Sequence, residues 1–131
     1  MKCSEAMNPR ATIVRANDSI RVAAKTLVEH HVTFVPVLTH DNELAGSLTE
    51  HEILRDAVAT GLDLFHTSVK HVANLDVLTC GADDDLSAAE QKMKDAHANH
   101  IVVVGGESGK AYLGLVKLGV SAGAHAHAPA A

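Results

Sequence analysis

The sequence has few aromatic residues and a negative net charge, which together argue against a nucleic-acid partner. Aromatic residues make up 2% of the 131 residues and tryptophan is absent, so the stacking platforms used by single-strand binders are missing. The formal net charge is −5, with an acidic run at Asp83, Asp84 and Asp85. No stripe of Lys and Arg offsets this negative charge, which would repel a phosphate backbone, so we expect no nucleic acid to bind.

Cysteine and long apolar runs are also scarce. Cys3 and Cys80 are too few for a disulfide framework and have no cysteine counterparts in the repeat described below, so we expect buried or incidental thiols. Residues 1–6 lack the apolar centre of a signal peptide, and no stretch reaches the roughly 20 apolar residues of a membrane span. These features predict a cytoplasmic protein that does not contact membranes.

The most informative feature is an internal duplication. Ile20 aligns with Leu86, His31 with His97 and Val37 with Val103, each pair 66 residues apart. One such unit buries little core by itself. We therefore predict that the two copies pack about a pseudo-twofold axis, with a ligand in the seam between them. The predicted limits are 1–66 for the first repeat, 67–120 for the second and 121–131 for a flexible tail.

Each copy has the pattern strand, helix, strand, strand, helix, which predicts an α+β fold. In the first copy the strands are predicted at 12–14, 34–38 and 44–48, and a helix capped by Asn17 or Asp18 ends near His31. Ile20, Ala23, Ala24, Leu27 and Val28 are expected on its buried face. Pro36 has no N–H, which suggests an edge strand or an irregular entry. A second helix is predicted from Thr49 to about Thr60, with Gly61 after it.

The second copy is predicted to have strands at 77–79, 101–104 and 112–116 and a helix over 86–96. Its turn at 105–110 is rich in glycine, as a phosphate-binding loop would be. The Lys-Ser/Thr opening of a helix is missing and a strand follows, so we interpret the segment as a hairpin loop.

Three segments resemble the tandem CBS domains, also called the Bateman module. They are Ala6-Met7-Asn8-Pro9, Val35-Pro36-Val37 and the stretch from Gly46 to Glu52, which is similar to the family's Gly-apolar-x-Thr-x-x-Asp signature. The resemblance implies a regulatory module, not an enzyme, that binds AMP, ADP, ATP or S-adenosylmethionine as a regulatory ligand and needs no cofactor. It also implies a homodimer that signals to a partner protein whose identity the sequence does not reveal.

By this resemblance, Thr49 holds a phosphate at a helix N-terminus and Glu52 accepts hydrogen bonds from the ribose. Glu52 stands where the family has Asp, and Thr49-x-x-Glu52 is equally a capping box that needs no ligand. His51 could face a phosphate or lie in solvent. Both interpretations stay open.

The resemblance further implies an apolar slot for the base, with strand backbone groups at its edge; core packing would explain the same side chains. The slot residues are Thr12, Ile13, Val14, Phe34, Val35 and Pro36. In the second copy Lys117 replaces the signature Thr and Val120 replaces the Asp. The second cleft is therefore expected to be empty or weak, with Lys117 contributing charge to phosphates held by the first.

Ten histidines suggest a different class, a metal-sensing stress protein. The candidates are His30, His31, His97, His100, His125 and His127. They show no recognised metal spacing, so we predict no metal site. A purely structural dimerisation module is a further alternative. No nucleophile elbow or paired catalytic motif is present, and we predict no catalytic residues.

Overall fold

The computed structural model describes residues 1–119. Its contacts divide the chain into two compact units: the first unit comprises residues 12–76, and the second unit comprises residues 1–11 together with 77–119. The predicted repeat limits 1–66 and 67–120 remain a prediction, and the predicted tail 121–131 lies outside the described residues, as does Val120.

The helices and strands confirm the α+β class. In chain order they are α1 Cys3–Ala6, β1 Val14–Arg15, α2 Ile20–Glu29, β2 Phe34–Leu38, β3 Leu44–Thr49, α3 Glu50–Glu52, a π-helix Ile53–Val58, a 3₁₀-helix Val69–His71, β4 Thr79–Gly81, α4 Leu86–Asp95, β5 His100–Gly105 and β6 Ala111–Lys117.

The two units have the same sheet. In the first unit β2 lies between a parallel β1 and an antiparallel β3. In the second unit β5 lies in the same way between β4 and β6. The register shifts between Val37 and Leu38 in one sheet and between Val103 and Val104 in the other, positions 66 residues apart. The duplication seen in the sequence is therefore also a duplication of structure, and it includes the position of the register shift.

Helix α2 shows how local sequence sets these elements. Its N-cap is Ser19, whose hydroxyl accepts a hydrogen bond from the Val22 N–H at 3.1 Å, so the predicted caps Asn17 and Asp18 are wrong by one or two residues. Ile20, Ala23 and Leu27 are buried as predicted, because they recur on one helical face. Val28 is 74% exposed and does not belong to that face.

Both long helices end at a histidine in the left-handed conformation. His31 and His97 each have φ of 54°, in the region that few residues other than glycine adopt. This places the two repeat-equivalent histidines at helix ends, where their exposed side chains contribute little to the core.

The helix predicted from Thr49 to about Thr60 begins at the expected residue but changes type. After the α-helical turn Glu50–Glu52, residues Ile53–Val58 form a π-helix. Gly61 follows with φ of 77°. Ile53 and Ala57 are buried in the first unit's core, whereas Leu54 and Val58 are more than half exposed. Of these four apolar residues, Leu54 and Val58 are therefore the ones exposed for contact with another chain.

Pro36 is not at a sheet edge, so the first of its two predicted settings, an edge strand, is wrong. It lies in the central strand β2 and faces Ser47 of β3. The Ser47 N–H donates to the Asn74 carbonyl instead of to β2, and β1 pairs with β2 only from Val37 onward. The missing N–H of Pro36 therefore breaks neither the β2–β3 pairing nor the described β1–β2 pairing, which begins at Val37.

The glycine-rich turn at 105–110 is a hairpin loop, as predicted. It joins β5 to its antiparallel neighbour β6, and Gly106 and Gly109 have φ of 75° and 72°. These conformations explain the glycines, because side chains rarely adopt them.

Candidate functional site

The end of β3 carries the residues of the predicted phosphate and ribose site. The Thr49 N–H donates to Glu52 Oε1 at 2.9 Å, and the Thr49 hydroxyl donates to the same oxygen at 3.1 Å. The Glu52 N–H donates in turn to Thr49 Oγ1 at 3.1 Å. This reciprocal arrangement is a capping box, which satisfies two backbone donors at the helix start.

The longer side chain of Glu, compared with the family's Asp, permits this fold-back. Glu52 Oε1 receives both hydrogen bonds from Thr49, and its second oxygen, Oε2, takes no part in the box. Both side chains are partly buried, whereas His51 is exposed. A ribose contact by Glu52 therefore remains a prediction that would use Oε2.

The six residues predicted around the base divide into two groups. Val14, Val35 and Pro36 are buried, and Val14 and Val35 belong to the first unit's apolar core. Thr12, Ile13 and Phe34 are partly buried and retain exposed surface. Side chains of the second group, and backbone atoms of the first, are the ones that a ligand could reach.

The duplication exposes a backbone difference between the two units. In the second unit the Val102 N–H donates to the Leu78 carbonyl at 3.0 Å. The equivalent residues 66 positions earlier are Pro36 and Thr12. Proline has no N–H, so Pro36 cannot donate to the Thr12 carbonyl as Val102 does to its counterpart.

The Thr12 carbonyl is therefore a hydrogen-bond acceptor without the strand donor that its repeat mate has. Sequence reasoning used the missing N–H of Pro36 only to predict an edge strand or an irregular entry. Aligning Pro36 with Val102, and asking which carbonyl loses its donor, would have identified the Thr12 carbonyl.

In the second unit the positions equivalent to Phe34 and Thr49 hold two basic residues. His100 and Lys117 are cross-strand partners in β5 and β6, where the first unit pairs Phe34 with Thr49. Burial, followed by the nearby charge of Lys117, lowers the pKa of His100 to about 4. His100 is thus neutral at pH 7 beside a charged lysine.

Acidification is expected to destabilise the chain through His100. Its folded-state pKa lies below the 6.5 of a free histidine, so between these two values the unfolded chain binds more protons. The contribution of neutral His100 to the free energy of unfolding is intact above pH 6.5 and is lost as the pH falls toward 4. The loss is on the order of 1 to 2 kcal/mol for this partly solvated group.

Urea unfolding across that pH range measures the loss. His100→Phe, which introduces the residue found at the equivalent position 34, should flatten the dependence. An unchanged pH profile in His100→Phe would assign the loss to other groups.

Two classes of site find no support in the described structure. Within residues 1–119 no group of three or more His, Cys, Asp or Glu side chains is arranged to hold a metal ion. His125 and His127, which the metal hypothesis also used, lie outside this range. None of the helices in the same range is long and apolar enough to cross a membrane.

The family model for the CBS domain matches the chain twice, at residues 3–58 and 69–119. The chain belongs to the CBS domain family. The two matches coincide with the duplicated sheets, so this is a tandem CBS pair, as the sequence resemblance implied.

Two solved structures show the same fold. Hypoxic Response Protein I, solved with two coordinated zinc ions, has a TM-score of 0.79 at 21% identity over 89% of this chain and 92% of that one. A CBS domain protein from Pyrobaculum aerophilum, complexed with AMP, has a TM-score of 0.74 at 27% identity over 89% and 87%. Because Hypoxic Response Protein I is only 21% identical to this chain, its similarity establishes the fold alone.

One relative is a much longer protein than this chain. The homoserine O-acetyltransferase of Methanosphaerula palustris is 27% identical over 100 residues, which is 76% of this chain and 19% of that protein. The chain thus spans about a fifth of that relative. Most of the acetyltransferase therefore has no counterpart in this chain. CBS pairs are generally regulatory and not catalytic.

Proposed function

We propose that this CBS pair is a regulatory module that binds an adenosine compound at the first unit and is not itself an enzyme. The observation that carries the proposal is the Thr12 carbonyl, left without a strand donor by Pro36. A carbonyl acceptor at a partly buried position suits the exocyclic amino group of adenine, because an unpaired acceptor there loses free energy.

The spacing of the first unit supports a nucleoside. Thr12 and Thr49 lie at the same end of the sheet, on opposite sides of the central strand β2. Strands are about 4.8 Å apart, so two strands on either side of a third are separated by about 10 Å. An adenosine whose base amine binds the Thr12 carbonyl would bring its ribose close to Thr49 and Glu52.

The neighbouring chemistry fits the rest of such a ligand. Ile13 and Phe34 provide apolar surface for a base, and Glu52 Oε2 is an acceptor for a ribose hydroxyl. The helix that begins after Thr49 would favour a phosphate. The AMP complex of the Pyrobaculum aerophilum protein, at 27% identity, supports AMP as the first ligand to test.

We expect one adenosine site per chain. Lys117 occupies the Thr49 position in the second unit, and Leu78 already pairs its carbonyl with Val102. Both features remove groups that the first unit offers to a ligand.

A homodimer and a regulated protein partner belong to the same proposal. Leu54, Val58 and Phe65 are exposed apolar side chains of the first unit and offer a surface for association.

Restoring the missing N–H tests the base contact. Pro36→Val should donate to the Thr12 carbonyl, as Val102 does to Leu78. We expect AMP binding to weaken roughly 3- to 10-fold, the equivalent of one neutral hydrogen bond. Inosine monophosphate has a carbonyl in place of the amine and is the control ligand, whose affinity should not fall.

Calorimetric titration of both ligands gives the comparison, and a thermal-shift screen should precede it. The screen includes AMP, ADP, ATP, S-adenosylmethionine and zinc, because a ligand at 100 times its dissociation constant adds about 2.7 kcal/mol of stability. Stabilisation by zinc alone would favour the metal hypothesis. If no compound in the screen stabilises the chain, the hypothesis of a purely structural dimerisation module is favoured instead. Equal losses for AMP and inosine monophosphate would reject the Thr12 contact.

A further inference from the structure

The two cysteines meet in the core of the second unit. They are 77 positions apart in the sequence, yet Cys3 is 0% exposed and Cys80 6% exposed in the same apolar cluster. The two thiols are neighbours in this cluster, and the Cys3 thiol adds to the effect of burial in raising the pKa of the Cys80 thiol. The sequence prediction that both thiols are buried is confirmed, but their contact was not predicted.

Backbone hydrogen bonds hold α1, and with it Cys3, beside the end of β4. The Cys3 N–H donates to the Asp84 carbonyl at 2.8 Å, and the Ser4 N–H donates to the Ala82 carbonyl at 2.9 Å. Farther along, Asn8 and Leu115 bond to each other in both directions. Residues 1–8 are thus attached to the second unit through short contacts at both ends.

The first unit contains the same attachment with different side chains. There the Val69 N–H donates to the Asp18 carbonyl at 2.8 Å, and the Lys70 N–H donates to the Ala16 carbonyl at 3.0 Å. All four residues lie 66 positions from their counterparts, so Val69 corresponds to Cys3. By the same offset Val14, which is 2% exposed, corresponds to Cys80.

Packing alone therefore does not require cysteine at these positions. The first unit fills the equivalent space with Val14 and Val69, both in its apolar core. The second unit instead brings together two side chains that can form a covalent bond.

We propose that Cys3 and Cys80 are a redox-sensitive pair, which a peroxide converts to a disulfide that locks residues 1–8 onto the second unit. Both are free thiols in this structure. The disulfide would enclose residues 12–76, the whole first unit, in a covalent loop.

The reaction balances with hydrogen peroxide as the oxidant. One cysteine thiolate attacks a peroxide oxygen, the O–O bond breaks, and a sulfenic acid and water form. The second thiolate then attacks the sulfenic sulfur, the S–S bond forms, and the oxygen leaves as a second water. Two thiols lose two protons and two electrons, and the peroxide is reduced to two waters.

The structure also explains how the pair would stay reduced until the segment opens. Burial, followed by the contact with Cys3, raises the pKa of the Cys80 thiol, so the reactive thiolate is scarce in the closed state. Cys3 lies in a helix of only four residues outside the sheet, and short elements of this kind are the ones that open locally. Oxidation is thereby coupled to opening of residues 1–8.

The test oxidises the purified chain with hydrogen peroxide and maps its peptides without reduction. We expect a mass decrease of about 2 Da and a linked peptide containing both Cys3 and Cys80. The oxidised chain should melt about 10 °C higher than the reduced chain, because the cross-link restricts a long loop of the unfolded state. A reductant should reverse both changes.

Cys3→Val and Cys80→Val are the matched controls, since each introduces the residue of the equivalent position in the first unit. Neither should lose mass or gain thermal stability with peroxide. The proposal is overturned if the parent chain keeps both thiols, forms only disulfides between chains, or accumulates sulfinic acid in place of the intramolecular bond. Because these outcomes are read from the parent chain, they do not depend on the variants folding.

Discussion

Gly46→Ala is expected to lower the free energy of unfolding by about 2 to 4 kcal/mol. A Cβ at Gly46 would lie 2.7 Å from the Asn74 carbonyl oxygen, closer than real contacts allow. That oxygen accepts from the Ser47 N–H at 2.9 Å, and the Ser47 carbonyl accepts from the Asn74 N–H at 2.8 Å. Ser47 is buried, so separating the two segments leaves polar groups unpaired away from water.

Urea unfolding of the two proteins measures this difference, and Gly81→Ala is the matched control. A Cβ at Gly81, which also lies in a strand, meets only Asp84 at 3.5 Å, an ordinary contact. Its unfolding midpoint should change little. Equal midpoints for Gly46→Ala and Gly81→Ala would show that the segment around Asn74 moves away without cost.

Glu52→Ala is expected to weaken AMP binding by about 1.5 to 3 kcal/mol, or roughly 10- to 150-fold, the value of a hydrogen bond to a charged group. This prediction rests on the proposed ribose contact through Glu52 Oε2. Glu52 also completes the capping box with Thr49, so the variant should lose about 1 kcal/mol of stability as well.

Two further variants separate the cap from the ligand contact in calorimetric titrations. Glu52→Gln keeps a side chain that can complete a capping box but removes the charge, so it should retain stability and lose affinity. Glu50→Ala removes a carboxylate from the same helical turn, at an exposed position outside the box, and should bind AMP as the parent does. If a folded Glu52→Ala protein binds AMP with unchanged affinity, the proposed ribose contact is rejected and Glu52 only caps the helix.

The sequence determined the duplicated architecture. The alternation and spacing of apolar residues predicted β2, β3, α2 and α4 almost to the residue, because these patterns report which face of each element is buried. Hairpin turn chemistry correctly excluded a phosphate loop at 105–110. The same local reasoning was off by a few residues at β1 and β4, which are short and are held mainly by their neighbours.

Tertiary structure decided the features on which the proposed function depends. Thr49 and Glu52 were predicted both as a ligand site and as a capping box, and only the fold showed how far the longer side chain turns back. Pro36 was predicted at an edge or an irregular strand entry because its neighbours in space were unknown. Its proposed role depends on the Thr12 carbonyl, 24 residues earlier in the chain.

The cysteines show the physical reason most clearly. From the sequence, Cys3 and Cys80 were two unrelated thiols in unmatched positions. Hydrophobic periodicity fixes which residues are buried, because burial depends on local repetition along an element. Which buried residues touch depends on how distant segments dock, and here the segment before one repeat packs with the sheet of the other.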